Sequence, residues 1–134
     1  MVNEKYLEVK ANIEKSCARV GRKPEEVTLI AVSKTKPIEL LREAYEAGAR
    51  DFGENKVQEI LEKGPQMPDD ARFHMIGHLQ RNKVRQVIGK AVLIHSVDSL
   101  RLARQIEEDA VKMGILVPVL LEVNVAREES KFGV

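Results

Sequence analysis

The sequence contains no tryptophan, a single cysteine and few aromatic residues, which make up 4% of its 134 residues. So few aromatic rings leave little surface on which nucleic-acid bases could stack. The lone cysteine, Cys17, excludes a disulfide within the chain and fits a reducing compartment. Charge of one sign is not in excess either, because the formal net charge is +1. Nothing global therefore attracts the chain to nucleic acid or to an anionic membrane.

Long apolar runs are also missing. No stretch approaches the roughly 20 residues that a membrane-spanning helix needs, and the first segment, MVNEKYLEVK, is charged where a secretory signal would be apolar. Hydrophobic residues make up 43% and charged residues 32%, a balance typical of soluble globular proteins. We therefore expect one cytoplasmic domain that covers residues 1–134.

The pattern along the chain indicates one helix followed by repeated strand–helix units. Apolar residues three and four apart predict a first helix that ends near Gly21. In the first strand segment both side-chain parities are apolar or small, which predicts a parallel strand covered on both faces. Later helices are predicted to begin at Pro37 and behind a cap at Asp98. The five strand segments are TLIAVSK, ARDFGEN, RFHMIGH, AVLIHSV and VPVLLEVNV.

Strands that alternate with helices predict an α/β fold with a parallel sheet. Such units either curl towards a (β/α) barrel of the TIM type or form an open, doubly wound sheet. A barrel needs about eight strands, and this sequence supplies five strand segments. We therefore expect unpaired parallel edges, which additional strands or another chain would cover.

Lys34 is the sharpest candidate for chemistry, because active sites of parallel α/β folds form where strands end. A partly desolvated lysine more readily holds a neutral amine, which can attack a carbonyl and form a Schiff base. Pyridoxal phosphate (PLP) is the commonest aldehyde cofactor that uses such an amine. The alternatives are that Lys34 extends into water or pairs with Glu54. Lys36 is a rival amine, but it directly precedes Pro37 at a helix entrance.

Other polar residues at strand ends each allow two interpretations. Asn55 could hydrogen-bond a ligand or cap the helix that follows. His74 and His78 form a weak zinc pattern without a third ligand, or else are one core and one loop histidine. The basic segment HLQRNKVRQ, with Arg81, Lys83 and Arg85, could bind an anion or nucleic acid, or could be a solvated helix face.

Five segments, in order and spacing, resemble the pyridoxal phosphate homeostasis proteins. They are LIAVSKTKP, FGENKVQE, FHMIGHLQRNK, HSVDSLRLA and VLLEVNVAREESKFGV, and the resemblance covers residues 22–134. It implies a TIM-type (β/α) barrel (PLP fold type III) similar to the N-terminal domain of alanine racemase, with PLP as cofactor. It further implies that Lys34 is the Schiff-base lysine and that Asn55, His74 and Asn124 line the cofactor pocket.

The resemblance also implies a role in PLP (vitamin B6) homeostasis, in which the protein limits the free aldehyde and supports supply to PLP-dependent apo-enzymes without robust catalysis. The alternative is an active fold-type III enzyme such as an amino-acid racemase. That reaction needs a second acid/base group, usually a tyrosine, and the only tyrosines, Tyr6 and Tyr45, are predicted on helix faces.

The family's phosphate-binding loops and an arginine near the pyridine nitrogen belong to a C-terminal half that these residues do not include. We therefore expect a single barrel domain, residues 1–134, truncated after its fifth strand. Such a chain should bind PLP poorly unless the missing half or another chain completes the barrel, because phosphate contacts supply much of the affinity and orientation.

Overall fold

The structure, a computed structural model, describes residues 1–134 as alternating helices and strands. The helices are α1 (Val2–Arg19), α2 (Ile38–Glu46), α3 (Val57–Lys63), α4 (Val84–Val87) and α5 (Leu100–Met113). The strands are β1 (Ile30–Val32), β2 (Asp51–Glu54), β3 (Arg72–Met75), β4 (Ala91–Val97) and β5 (Val119–Leu121). Short 3₁₀ turns occupy Pro24–Glu26, Gly64–Gln66 and Arg81–Lys83.

All five strands pair in parallel, and their order in the sheet is β1-β2-β3-β4-β5. A doubly wound sheet reverses its strand order part-way, whereas a barrel adds each new strand on the same side. The sequential order therefore confirms the barrel-type α/β prediction. The sheet corresponds to five of the eight strands of such a barrel.

The core lies between the helices and one face of the sheet. It is a single cluster of 18 buried apolar residues. Phe52 of β2 and Phe73 of β3 stack at its centre, with ring centroids 5.7 Å apart. Burial of each large apolar side chain contributes about 1.5–3 kcal/mol. The helices add Leu41, Ala44, Val57, Ile60, Val84, Val87, Leu102 and Ile106.

The opposite face of the sheet corresponds to the inside of the barrel. At its centre Gly53 makes room for two isoleucines, because a Cβ there would lie 2.9 Å from Ile76 Cδ1 and 3.1 Å from Ile30 Cγ2. Val32, also on this face, is 55% exposed. The prediction that the first strand is covered on both faces is therefore wrong at Val32, because β1 is an edge strand beside an open interior.

Some element boundaries differ from the sequence prediction. Pro37 is the residue before α2 rather than its first residue. Ser99, and not Asp98, caps α5, because Ser99 Oγ accepts a hydrogen bond from Leu102 N at 3.1 Å. Asp98 instead binds the ring of His78, with 2.9 Å between Oδ2 and Nδ1. Helix α5 does end at Gly114, which has a φ of +67°.

Candidate functional site at the carboxyl ends of the strands

Lys34 lies in a tight turn directly after β1. Ser33 N donates to Gly53 O at 2.9 Å, which extends the β1–β2 ladder by one residue. The chain then reverses, and Lys36 N donates to Ser33 O at 3.1 Å. Thr35, inside the turn, has a φ of +60°, a region that β-branched residues rarely adopt. The turn therefore holds exposed Lys34 at the carboxyl end of the sheet in a strained backbone.

The pairing of Lys34 with Glu54, considered above as an alternative, is absent. Glu54 is fully buried, and its Oε2 accepts hydrogen bonds from Lys63 Nζ at 3.0 Å and from Ser33 Oγ at 2.5 Å. Lys34 takes part in none of the ion pairs in the chain. Its side chain is exposed in this chain rather than partly desolvated, as the alternative that it extends into water predicts. Its amine is therefore available to a ligand.

The two carboxyl groups beside Lys63 differ in protonation behaviour. Burial raises the pKa of Glu54, and hydrogen bonds from Ser33 and Lys63 offset this only in part. Its buried Oε1 has no partner, which further favours the uncharged form. Burial acts in the same direction on Glu59, but hydrogen bonds from Lys63 and from Thr35 N lower the pKa of Glu59 to about 2. Glu59 is therefore the firmly ionised partner.

Asn55 follows β2 at the same end of the sheet. The residue that precedes α3 as its N-cap is Lys56, which makes no side-chain capping bond, so the interpretation of Asn55 as the cap is wrong. The segment that follows β3 approaches Asn55 closely and fixes its position. A Cβ on Gly77 would lie 2.7 Å from both Asn55 Cα and Asn55 O, so only glycine fits there without a shift.

His74 lies within β3, in a polar network on the inner face of the sheet. Its Nε2 lies 2.9 Å from Asp51 Oδ1, and its Nδ1 lies 2.9 Å from His95 Nε2. Arg72 also binds Asp51 through two bonds of 2.9 and 2.8 Å. Burial alone would raise the pKa of Asp51, but the hydrogen bonds with Arg72 and His74 outweigh burial and lower that pKa. Both ring nitrogens of His74 are thus engaged within the sheet.

His78 has different partners from His74. It binds Asp98 and stacks on Phe132, with ring centroids 4.1 Å apart. The structure contains no group of three or more histidine, cysteine or acidic side chains that could hold a metal ion. The two histidines therefore do not form a common site.

Asn124 lies beyond β5 and closes a local turn. Its Nδ2 donates to Glu128 O at 2.7 Å, and its Oδ1 accepts from Glu128 N at 3.2 Å. Its backbone N also donates to Val134 O at 3.0 Å. The side-chain amide of Asn124 is therefore occupied by its own loop.

Two cavities lie at opposite ends of the sheet. One of about 300 Å³ opens beside Asn55 and is also lined by Met75, His78 and Lys83. Another of about 390 Å³ lies at the amino ends of the strands, between Tyr6, Arg50 and neighbouring residues. Chemistry in this architecture belongs to the carboxyl ends of the strands, so the second cavity is not the candidate site.

Neither tyrosine lies at the candidate site. Tyr6 is on α1 and Tyr45 on α2, as predicted, and Tyr45 Oη donates a hydrogen bond of 2.5 Å to Asp70 Oδ1. Sequence reasoning missed Glu59 and Lys63 as part of the site. The i,i+4 spacing of Glu59 and Lys63 on a predicted helix was the available signal for their contact.

A model of the family described as "Alanine racemase, N-terminal domain" matches residues 7–134. The chain belongs to this family. This confirms the resemblance drawn from the five sequence segments and the TIM-type barrel that it implies. No helix of the chain combines the length and the apolar character needed to cross a membrane.

Relatives within the family carry names connected with PLP. The pyridoxal phosphate homeostasis protein of Aquifex aeolicus (strain VF5) is 46% identical over 132 residues, which are 98% of this chain and 58% of that protein. The structure of PipY from Synechococcus elongatus PCC7942 with PLP bound has a TM-score of 0.73 and 39% identity, over 87% of this chain and 56% of that one.

A crystal structure of an unknown protein from Bifidobacterium adolescentis has a TM-score of 0.88 and 36% identity. The similarity covers 98% of this chain and 58% of the chain of that protein. This chain therefore spans less than two thirds of the length of these relatives.

Proposed function

We propose that this chain binds PLP through Lys34 as its Schiff-base lysine and takes part in PLP homeostasis without robust catalysis of its own. The observation that carries the proposal is the exposed Lys34 amine, which makes no ion pair and stands on a constrained turn at the carboxyl end of β1. The names of the relatives support PLP as the ligand.

The residues at this end of the sheet fit such a cofactor chemically. When bound, PLP supplies an aldehyde that condenses reversibly with a primary amine and releases one water. Lys34 offers the amine, and Asn55 offers a side-chain amide that is not used as a helix cap. Asn55 can therefore donate to or accept from a substituent of the cofactor ring.

We propose His74 and Asn124 as further pocket-lining residues, with a more limited part for each. The ring of His74 is held by Asp51 and His95, so it would support the floor of the pocket. The amide of Asn124 binds the backbone of Glu128, so it would shape the loop beside the pocket. Neither offers PLP a free polar group in this arrangement.

A homeostatic role, rather than racemisation, fits the residues present. The racemase alternative needs a second acid/base group opposite the lysine, and both tyrosines lie on helices away from the carboxyl ends of the strands. We propose that the protein buffers PLP and supports its supply to PLP-dependent apo-enzymes, and that residues outside these 134 hold the phosphate.

Borohydride trapping tests the role of Lys34. The protein is incubated with PLP, reduced and digested, and the modified peptides are mapped by mass spectrometry. We expect one dominant label on Lys34, which disappears in Lys34→Ala and persists in the matched control Lys36→Ala. Label spread evenly over the surface lysines, with none favoured, would contradict the proposal.

A further inference from the structure

The turn that carries Lys34 is held by side chains from two other elements. Glu59 of α3 accepts a hydrogen bond from Thr35 N at 2.9 Å, on one side of Lys34. Lys63 of α3 donates to Ser33 O at 2.8 Å, on the other side. Glu54 of β2 holds the Ser33 side chain. The residues before and after Lys34 are thus both fixed by one cluster.

Lys63 is the centre of this cluster. Its ammonium group has three protons and three acceptors, namely Ser33 O at 2.8 Å, Glu54 Oε2 at 3.0 Å and Glu59 Oε2 at 2.7 Å. Lys63 is only 8% exposed, so water has little access to replace these hydrogen bonds. A compact ammonium satisfies three converging acceptors, whereas a planar guanidinium does not.

The cluster needs an explanation beyond stability. Buried ion pairs are often no more stabilising than well-packed apolar side chains, because desolvation offsets their attraction. What a buried polar network does supply is one specific arrangement of the chain. Here that arrangement includes Thr35 at a φ of +60°, which a threonine does not adopt without external support.

We propose that Glu59, Lys63 and Glu54 are positioning residues for Lys34: they hold the turn 33–36 in the strained conformation that presents the Lys34 amine to its aldehyde ligand. This inference rests on the proposed function of Lys34. It assigns a role to Glu54 and Glu59, the two glutamates of the FGENKVQE segment, and to Lys63, which follows that segment. Each of the three acts through its contacts with the turn or with another member of the cluster.

Glu59 is the residue to change, because it is the member closest to solvent and its loss leaves the Glu54–Lys63 pair in place. Glu59→Ala removes the acceptor for Thr35 N, whereas Glu59→Gln keeps an oxygen that accepts from both Thr35 N and Lys63. Glu62→Ala is the matched control, since Glu62 is an exposed glutamate on the same helix.

The first measurement does not involve PLP. Amide hydrogen exchange at Thr35 and the ratio of Lys34 to Lys36 acetylation are compared in folded wild type and in the three variants. Loss of a hydrogen bond to a charged group should speed exchange at Thr35 about tenfold or more in Glu59→Ala. We expect a changed acetylation ratio in that variant, recovery in Glu59→Gln and no change in Glu62→Ala.

The second measurement is borohydride trapping with PLP. We expect the ratio of Lys34 to Lys36 label to fall about tenfold in Glu59→Ala and to recover in Glu59→Gln. A Glu59→Ala protein that unfolds more easily but keeps wild-type exchange at Thr35 and wild-type ratios would overturn the proposal. If wild type itself shows no preference for Lys34, the proposed function fails, while the exchange data still decide whether Glu59 holds the turn.

Discussion

At the scale of single residues, the candidate site depends on a glycine as much as on its polar side chains. Gly77→Ala would place a Cβ 2.7 Å from two backbone atoms of Asn55, which cannot rotate away. Overpacking of this kind destabilises by about 1–3 kcal/mol. We expect a lower midpoint of denaturant unfolding, together with displacement of Asn55.

Gly64→Ala is the comparison, because a Cβ there meets nothing within 4 Å beyond its chain neighbours. Gly64 precedes Pro65 in helical conformation, with a φ of −51° and a ψ of −52°, which disfavours a residue that carries a Cβ. We therefore expect Gly64→Ala to be destabilising, but less so than Gly77→Ala, which also meets the backbone of Asn55. A midpoint for Gly77→Ala no lower than that of Gly64→Ala would show that the segment after β3 yields at Gly77 without cost.

Single residues also mark the limit of sequence reasoning. Lys34 could be singled out because strand ends are favoured positions for chemistry. Whether Lys34 pairs with Glu54 could not be predicted, because the position of Glu54 relative to Lys34 depends on the register of β2 against β1. Sequence spacing likewise does not reveal that His74 uses both ring nitrogens within the sheet, since Asp51 and His95 come from other strands.

At the scale of elements, a network across β2, β3 and β4 links stability to pH. His74 Nε2 lies 2.9 Å from Asp51 Oδ1, and the other ring nitrogen of His74 lies 2.9 Å from His95 Nε2. Burial, and then the nearby His74, lowers the pKa of His95. The folded protein therefore favours the neutral form of His95.

The free energy of unfolding should consequently fall as the pH falls below about 6.5, the ordinary histidine pKa. Below that pH the unfolded chain binds a proton that folded His95 resists, until the lowered folded pKa is reached. One proton gives a slope of at most about 1.4 kcal/mol per pH unit. Above about pH 6.5 the contribution is fully present.

Urea unfolding at several pH values measures this slope. In His95→Gln the part of the slope between about pH 6.5 and 5 should shrink, because the titrating ring is gone. The loss of stability at lower pH should remain, since the pKa of Asp51 is lowered and its protonation weakens the contacts with Arg72 and His74. If His95→Gln kept the wild-type slope between about pH 6.5 and 5, another group and not His95 would cause that part of the pH dependence.

Elements were easier to predict than their ends. Helical and strand periodicity gave the order of every main helix and strand, because most of them have one face against the common core. Strand β5 is the exception, since its three residues are exposed. The choice of cap before α5 was wrong because Asp98 and Ser99 are adjacent residues that can both cap a helix. Contact with His78, distant in sequence, engages Asp98.

At the scale of the whole molecule, the sheet has two open edges, β1 and β5. Apolar side chains along β5 are exposed: Leu120 by 49% and Leu121 by 66%. Unpaired apolar edges pair readily with other strands. We propose that further strands of the barrel, from a longer chain or from another chain, cover these edges in the working protein.

A chain of these 134 residues alone should therefore self-associate, and a charge on the open edge should reduce this. We expect Leu121→Lys to shift the weight-average mass in sedimentation or light scattering towards the monomer. Leu116→Lys is the matched control, because Leu116 is 97% exposed but lies outside the strands. A wild-type chain that stays monomeric and unfolds cooperatively would contradict the proposal, because its edges would then need no cover.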